Sequence, residues 1–481
     1  MSDQAPSACF RYQLLATELE SQINGGLYKA GDRLPSLRTL QSRTGLSVST
    51  INQAYIEMEK RGLVEPREKS GFYVRPLLKN FPPPSKAIPT TAGRPRPVTI
   101  GSENEAILAI LQNEDVTPFG AALPSGQLLP VKQLAQSAQK ISARYFRGSG
   151  LDCGTVSGVP ELKRQIAGRT IGIGRHIDEE DVVVTHGCMD AIQLCLRAVT
   201  RAGDIVVTES PTFTCYLQLI RDLGLLALEI PTDPVSGIDV EALEKALRYN
   251  RVSTCLLNPT FQNPVGFDMP AERKEQLVRM LGKKEIPIIE DDIFGELYFG
   301  ATRPLSLKYF DTAGLVLCCS SFSKTLAPDF RVGWVLPGRF KDRVDRLKTN
   351  AYTVLSKLPQ LILADFLKNG HYDRHLRKIR TAFKNQVCCT IQAIGRSFPE
   401  GTKLSAPSGG YILWVELDSR IDGMELFNLA WEQRICVVPG AITTNSDGSK
   451  NCIRISCGHP FTERSEKMIQ ALGRIIAGML E

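Results

Sequence analysis

Ser321-Phe322-Ser323-Lys324-Thr325-Leu326-Ala327-Pro328-Asp329-Phe330-Arg331-Val332-Gly333-Trp334 places one lysine just after the apolar run Leu315-Val316-Leu317-Cys318-Cys319, among hydroxyl residues and ahead of an arginine. A lysine at the end of a buried strand loses solvation, and desolvation lowers its pKa toward the range in which the free amine attacks a carbonyl. Ser321, Ser323 and Arg331 supply donors for a phosphate. These residue types fit a lysine that holds a phosphorylated aldehyde cofactor. The same stretch read alone also fits a surface lysine behind a core strand, so partners elsewhere in the chain decide between the two readings.

The chain of 481 residues is long enough for about three folding units. Its apolar fraction of 43% and charged fraction of 23% are those of a soluble globular protein. No apolar run approaches a membrane-spanning length, and Met1-Ser2-Asp3-Gln4-Ala5-Pro6 lacks the basic and hydrophobic regions of a signal peptide, so a cytoplasmic location is expected. The 13 cysteines lack paired metal-ligand spacing and read as small buried hydrophobes in a reducing compartment, with no metal site. Net charge is +7, and residues 1 to 98 hold 14 Lys/Arg against 8 Asp/Glu. A basic N-terminal segment on a near-neutral body fits a nucleic-acid-binding module or a merely solvated surface.

Within that segment Leu15, Leu19 and Ile23 recur at helical spacing before Gly25-Gly26. A second helix is expected to start at Ser36 and break at Thr44-Gly45, and a third to start at Ser47. In the third, Ile51, Ala54, Tyr55 and Met58 form the core stripe, leaving Ser49, Asn52 and Gln53 to reach base edges. Two helices around a short glycine-containing turn make a helix-turn-helix. The run from Gly62 to Val74 reads as two short strands around a basic turn, a wing. A generic three-helix bundle has the same periodicity; the wording separates the two. Gly31-Asp32-Arg33-Leu34-Pro35-Ser36-Leu37-Arg38, Thr50-Ile51-Asn52-Gln53-Ala54-Tyr55 and Ser70-Gly71-Phe72-Tyr73-Val74 resemble the GntR-type winged helix over roughly residues 10 to 75. The resemblance implies DNA contacts from Arg33, Ser36, Arg38, Ser47, Ser49, Thr50 and Asn52, with Arg67 and Lys69 on the wing. Val48 stands where that family usually has an arginine, which is expected to shift or weaken base recognition.

Seven prolines between Pro76 and Pro97 predict an extended, semi-rigid linker. Beyond it, β-branched runs alternate with helical patterns: Asp181 to Thr185, Cys188 to Thr200, Ile205 to Thr208, Thr254 to Leu257 and Ile286 to Glu290. That alternation predicts an α/β domain with a mostly parallel sheet and sites beyond the carboxyl ends of its strands. Several candidates lie there. Gly187, Cys188 and Met189 open a helix whose free N–H groups suit a phosphate, although Gly187 also reads as a plain turn. Phe213 could stack on a flat ring or pack in the core. Asn263 in an Asn/Pro/Gly loop could bond a phenolate-like oxygen. Asp291 at a strand end could pair with a ring N–H⁺. Arg454, on the strand face opposite Ile453 and Ile455, needs an anion such as a substrate carboxylate.

The order of these parts resembles the fold-type I aminotransferases that use pyridoxal 5′-phosphate, across roughly residues 115 to 481. With the GntR-type head, the whole resembles a MocR-type transcriptional regulator. The resemblance implies a head over 1–77, a proline-rich linker over 78–105 and an aminotransferase-like body over 106–481. The body has a large seven-stranded domain and a smaller α/β subdomain. It further implies an internal aldimine at Lys324, Asp291 on the pyridinium nitrogen, Asn263 on the ring hydroxyl, Phe213 stacked on the ring and Arg454 on an amino acid's carboxylate. The phosphate falls to Ser321, Ser323, Arg331 and the amides of Gly187, Cys188 and Met189. Expected partners are double-stranded operator DNA, an amine or amino-acid effector, and a second copy in a homodimer with swapped heads. Phe294 and Cys153 stand where the aminotransferase pattern expects tyrosines. Their loss favours a regulator that senses an amine through the aldimine over the rival reading, an active aminotransferase with an accessory DNA-binding head. A regulator that has lost the cofactor is the third reading.

Overall fold

The computed structural model describes residues 10–24, 27–28, 32–60, 63–67, 70–74, 81–86, 93–99, 101, 107, 110, 119–147, 156–170, 173, 177–352, 354–446 and 448–481. The chain divides into two compact units, Met1–Asn80 and Phe81–Glu481.

The first unit holds helices α1 (Arg11–Asn24), α2 (Leu37–Thr44) and α3 (Val48–Lys60), then a hairpin of β1 (Val64–Arg67) and β2 (Gly71–Val74). Local chemistry sets the ends of α2. The Ser36 hydroxyl accepts from Thr39 N at 3.1 Å, and Gly45, at φ 68°, stops the helix in the left-handed region that glycine enters without strain. Ser47 caps α3 in the same way through Thr50 N at 3.1 Å. Leu15, Leu19 and Ile23 of α1 bury against Leu40, Ile51, Ala54 and Met58. Each large aliphatic side chain so buried contributes about 1.5–3 kcal/mol. Tyr55 ties the helices to the hairpin: its ring stacks on Phe72 at 4.6 Å and its hydroxyl donates to Pro35 O. This is the helix-turn-helix and wing that the sequence predicts.

The second unit is built on one large sheet of β3 (Arg96–Pro97), β4 (Val183–Thr185), β5 (Ile205–Ser210), β6 (Leu226–Asp233), β7 (Gly237–Ile238), β8 (Val252–Leu257), β9 (Ile288–Asp291), β10 (Val316–Ser321) and β11 (Gly333–Leu336). The order is β3-β6-β5-β8-β9-β10-β11-β4, with β7 also paired to β6. Strands β6, β5, β8, β9 and β10 run parallel and β11 runs against both its neighbours. The expected seven-stranded core is present, and β3 and β7 add short antiparallel edges to it. The central strands are buried almost throughout, which is why they read as continuous apolar runs. A smaller antiparallel sheet contains β12 (Lys403–Leu404), β13 (Ile412–Glu416), β14 (Val438–Pro439) and β15 (Cys452–Ser456), in the order β12-β13-β15-β14. The long helix His371–Ser397 shares a core with it.

The described parts of the proline-rich segment, expected as an extended, semi-rigid linker over 78–105, lie against the rest of the second unit. Phe81 packs on the main core, Leu404 N donates to Pro82 O at 3.0 Å, Ser85 Oγ donates to Glu416 at 3.0 Å, and Arg96–Pro97 pairs with β6. Proline lacks an N–H and is tolerated at a sheet edge, so an extended proline-rich strand can still lie along one. Among the described residues no helix is long and apolar enough to cross a membrane, and no group of His, Cys, Asp and Glu is spaced to hold a metal ion.

Candidate cofactor and nucleic-acid sites

Strand register brings the phosphate candidates together. Ser321 at the end of β10 lies opposite Gly333 of β11, and Gly333 lies opposite Thr185 of β4. Two residues beyond Thr185, Gly187 opens the helix Cys188–Val199 with φ 88°, so the first amides of that helix face the same end of the sheet. The Ser321 and Ser323 hydroxyls bond each other, and Ser323 N donates to Ser321 Oγ at 3.2 Å. Arg331, held at φ 50°, lays its guanidinium over Gly187: a Cβ at Gly187 would lie 2.8 Å from Nη2. Gly333 leaves no room either, since a Cβ there would fall 2.4 Å from the Gly187 carbonyl carbon. Two glycines, two hydroxyls, a guanidinium and a helix N-terminus converge into a cradle whose donors suit a phosphate. Met189 is half-buried in the first turn of that helix.

Asp291 ends β9, directly opposite Cys319 of β10. Its carboxylate is buried and accepts from Tyr216 OH, from Cys188 Sγ at 3.4 Å and from Ile293 N at 2.9 Å. Burial pushes its pKa above the usual carboxylate value, against the pull of those hydrogen bonds and of Lys324. Phe213 precedes the helix Thr214–Asp222 and meets Tyr216 edge-on at 5.3 Å. Tyr216 is a candidate site residue that the sequence reading missed; its position three residues after Phe213, in the first turn of the helix that Phe213 caps, is the available signal.

Asn263 is fixed by its neighbours. Its N–H donates to Asn258 Oδ1 at 2.8 Å, and Asn258 Nδ2 donates to Asp291 O at 2.7 Å. Asn263 Oδ1 accepts from Arg454 Nη1 at 3.1 Å, which turns the side-chain NH₂ toward the remaining space. Beneath this loop lies buried Glu209, also missed, which accepts from Asn258 N at 3.1 Å. Burial raises its pKa to about 7.

Arg454 is only 5% exposed. Besides Asn263 it donates to Gly120 O, its Nε has no partner among the described residues, and burial depresses its pKa to about 10. A buried guanidinium with no carboxylate partner among the described residues is suited to an anion.

Lys324 completes the group. Its ammonium donates to Ala122 O at 2.6 Å, a carbonyl that also accepts from Tyr411 OH at 3.0 Å. Desolvation lowers its pKa to about 8, opposed by Asp291 and aided by Arg454. An amine so tuned is free in a substantial fraction near neutral pH and can act on a carbonyl. Phe294, where the pattern expected a tyrosine, is buried edge-on against Tyr411 at 5.5 Å and brings no hydroxyl. Cys153 lies outside the described residues. The residues fit a phosphorylated pyridine aldehyde: two serine hydroxyls, the Arg331 guanidinium and the first amides of a helix gather where a phosphate needs donors, and Arg454 Nε has no partner among the described residues.

On the first unit, Arg38, Ser47 and Ser49 are exposed and Thr50 and Asn52 half-exposed on α2 and α3. Val48 is 41% exposed at the head of α3. The Ser36 and Ser47 hydroxyls are engaged as caps, and Ser47 also bonds Ser49 and Thr50, each at 2.8 Å. Arg33 bridges to Tyr73 and lies over Gly71, whose φ of 105° suits only glycine. Arg67 ends β1, and Lys69 lies outside the described residues.

Residues 115–472 match the family described as aminotransferase class I and II, and residues 11–74 match the bacterial regulatory proteins of the gntR family. The chain is 36% identical over 466 residues to the uncharacterized HTH-type transcriptional regulator YdcR of Escherichia coli (strain K12), covering 97% of this chain and 99% of that one. It is 34% identical to YjiR of the same organism, described in the same words, over 98% of this chain and 100% of that one. Among solved structures it resembles LysN, an alpha-aminoadipate aminotransferase from Thermus thermophilus complexed with N-(5′-phosphopyridoxyl)-L-leucine. The TM-score is 0.71 at 27% identity, over 79% of this chain and 95% of that one.

Proposed function

The chain belongs to the aminotransferase class I and II family and, with its gntR-family head, to the MocR-type transcriptional regulators; from that premise we propose that its body senses an amine or amino acid at Lys324. The cofactor of this fold is pyridoxal 5′-phosphate, which when bound supplies an electrophilic carbonyl carbon and an electron-withdrawing ring. Lys324 would hold it covalently, and Asp291 would hold the proton on its ring nitrogen. Asn263 would bond the ring oxygen, and Phe213 would cover one face. Ser321, Ser323, Arg331 and the amides of Gly187, Cys188 and Met189 would bind the phosphate. Arg454 would orient the effector through its carboxylate.

The observation that carries this reading is the pairing of a lysine whose pKa is lowered to about 8 with a buried arginine that bonds only neutral oxygens among the described residues. One receives an amine's chemistry and the other receives a carboxylate, so together they select α-amino acids or related amines. The DNA-binding head would contact phosphates and bases through Arg33, Ser36, Arg38, Ser47, Ser49, Thr50 and Asn52, with Arg67 and Lys69 on the wing. The protein would act in the cytoplasm as a homodimer with exchanged heads. Effector binding would shift operator affinity only as far as it favours one arrangement of the body over another.

The test combines two measurements. Purified full-length protein is mixed with the cofactor and a panel of amino acids and keto acids, while its absorption spectrum and its binding to the DNA beside its own gene are followed. Spectral change with altered DNA binding, and no accumulating keto acid, is the expected result. Steady multi-turnover product without any effect on DNA binding would replace the sensor by an aminotransferase. Absence of a visible band that Lys324→Ala abolishes would remove both.

A further inference from the structure

Thr325, the residue after Lys324, is held by two side chains of the long helix His371–Ser397. Its carbonyl bonds His375 Nε2 at 2.7 Å, and its hydroxyl bonds Tyr372 OH at 2.8 Å. Tyr372 also meets Phe322, two residues before Lys324, edge-on at 5.8 Å. Residues 372 and 375 are one turn apart and share a helix face. Among the described residues no backbone N–H donates to the Thr325 carbonyl, and the N–H groups of Thr325, Leu326 and Ala327 all go to Phe322 O. An external donor is therefore required, and His375, 6% exposed, provides it. A carbonyl only accepts, so the proton on this imidazole sits at Nε2.

The same helix reaches the other end of the lysine. Phe383 packs on Tyr411 at 4.6 Å, and Tyr411 OH donates to the Ala122 carbonyl that also accepts from Lys324 Nζ. Backbone and amine of Lys324 are thus both referenced to one helix.

We propose that His375 is a positioning residue that sets where Lys324 presents its amine, by holding the Thr325 carbonyl from the helix His371–Ser397. The inference rests on the reading that Lys324 holds the cofactor. A shift of the helix moves the amine, and occupation of the amine restrains the helix.

Glutamine places its amide nitrogen near the position of Nε2, whereas asparagine places it near Nδ1. The experiment adds pyridoxal 5′-phosphate to the cofactor-free full chain and follows the growth of the visible band, with borohydride trapping at Lys324 read by mass spectrometry. His375→Asn is expected to slow capture about tenfold, and His375→Gln to restore it to near the parent rate. Asparagine and glutamine variants that behave alike, or both match the parent, overturn the proposal. Should His375→Asn not fold, Tyr372→Phe removes only the hydroxyl on Thr325 and must also slow capture; an unchanged rate overturns the proposal. Failure of the parent reading looks different: the unaltered chain then shows no band that Lys324→Ala abolishes.

Discussion

Arg454 Nη1 donates to Asn263 Oδ1 at 3.1 Å, and through Asn258 that bond continues to the backbone of Asp291. The anion-seeking and ring-binding ends of the site therefore share one hydrogen-bond chain. Because Arg454 is buried with no opposing carboxylate and no partner for its Nε among the described residues, it is a stability cost until a ligand arrives. Arg454→Met should raise the ligand-free Tm, corresponding to about 1 kcal/mol or more. It should also abolish the further rise that an amino acid produces in the parent protein. Thermal melts with and without the amino acid check both signs.

Lys324 has its pKa lowered from 10.5 to about 8 by desolvation. Only the neutral amine attacks the cofactor's carbonyl, so the rate of capture should climb with pH and level off above about 8. An exposed lysine would give a midpoint more than two units higher. Stopped-flow absorbance from about pH 6 to about pH 10 measures it, and Asp291→Asn, which removes the nearby negative charge, should move the midpoint lower.

Glu209 has its pKa raised by burial from 4.5 to about 7. A carboxyl whose folded pKa exceeds its unfolded value gives its full stabilisation below the unfolded value and loses it as pH rises through the folded one. Glu209→Gln keeps an acceptor for Asn258 N but cannot ionise. Its stability relative to the parent should therefore improve between about pH 5 and about pH 8, by about 1–3 kcal/mol at the upper end. Urea titrations at both pH values decide it.

The parts of the site that can be read in advance sit at strand ends, where apolar runs announce the strand and the short polar run that follows marks its mouth. Asp291 after Ile286 to Ile289 and Ser321 after the run ending at Cys319 are such cases. Tyr216, Tyr411 and Glu209 cannot be read this way. Tyr216 and Tyr411 act through single hydrogen bonds to residues 75 and 289 positions away, which no local period encodes. Glu209 lies inside a strand, where its acidity conflicts with burial until Asn258 and Gln262 are folded over it. The proline-rich segment reads as a spacer because composition reports stiffness and is silent about docking. The carboxylate of Glu416 and the open edge of β6 that receive it are more than 100 residues away in sequence.

The two glycines of the phosphate cradle should differ in severity. A methyl group at Gly187 meets the far end of the Arg331 side chain, which can yield, but the backbone there sits at φ 88°, so Gly187→Ala should cost about 1–2 kcal/mol and weaken cofactor binding. Gly333→Ala drives a methyl into Gly187 backbone at 2.4 to 2.8 Å, where no side chain can yield. It should separate β11 from β4 and lose the cofactor altogether. Equilibrium dialysis of the cofactor ranks the two.

On α2 and α3 the exposed residues divide by chemistry. Arg38, at the start of α2, carries a charge suited to phosphates, so Arg38→Ala should weaken binding to specific and random DNA alike and reduce the salt slope by about 1. Asn52 is off the buried stripe of Ile51, Ala54 and Tyr55 and carries an amide suited to adenine edges. Asn52→Ala should spare binding to random DNA and cost about 1–3 kcal/mol on the operator alone. Val48→Arg restores a donor at an exposed position in the first turn of α3 and should tighten both, with a steeper salt dependence. Fluorescence anisotropy on operator and scrambled duplexes at several salt concentrations separates the three patterns. A loss on operator DNA alone for Arg38→Ala would mean that this arginine reads bases instead of backbone.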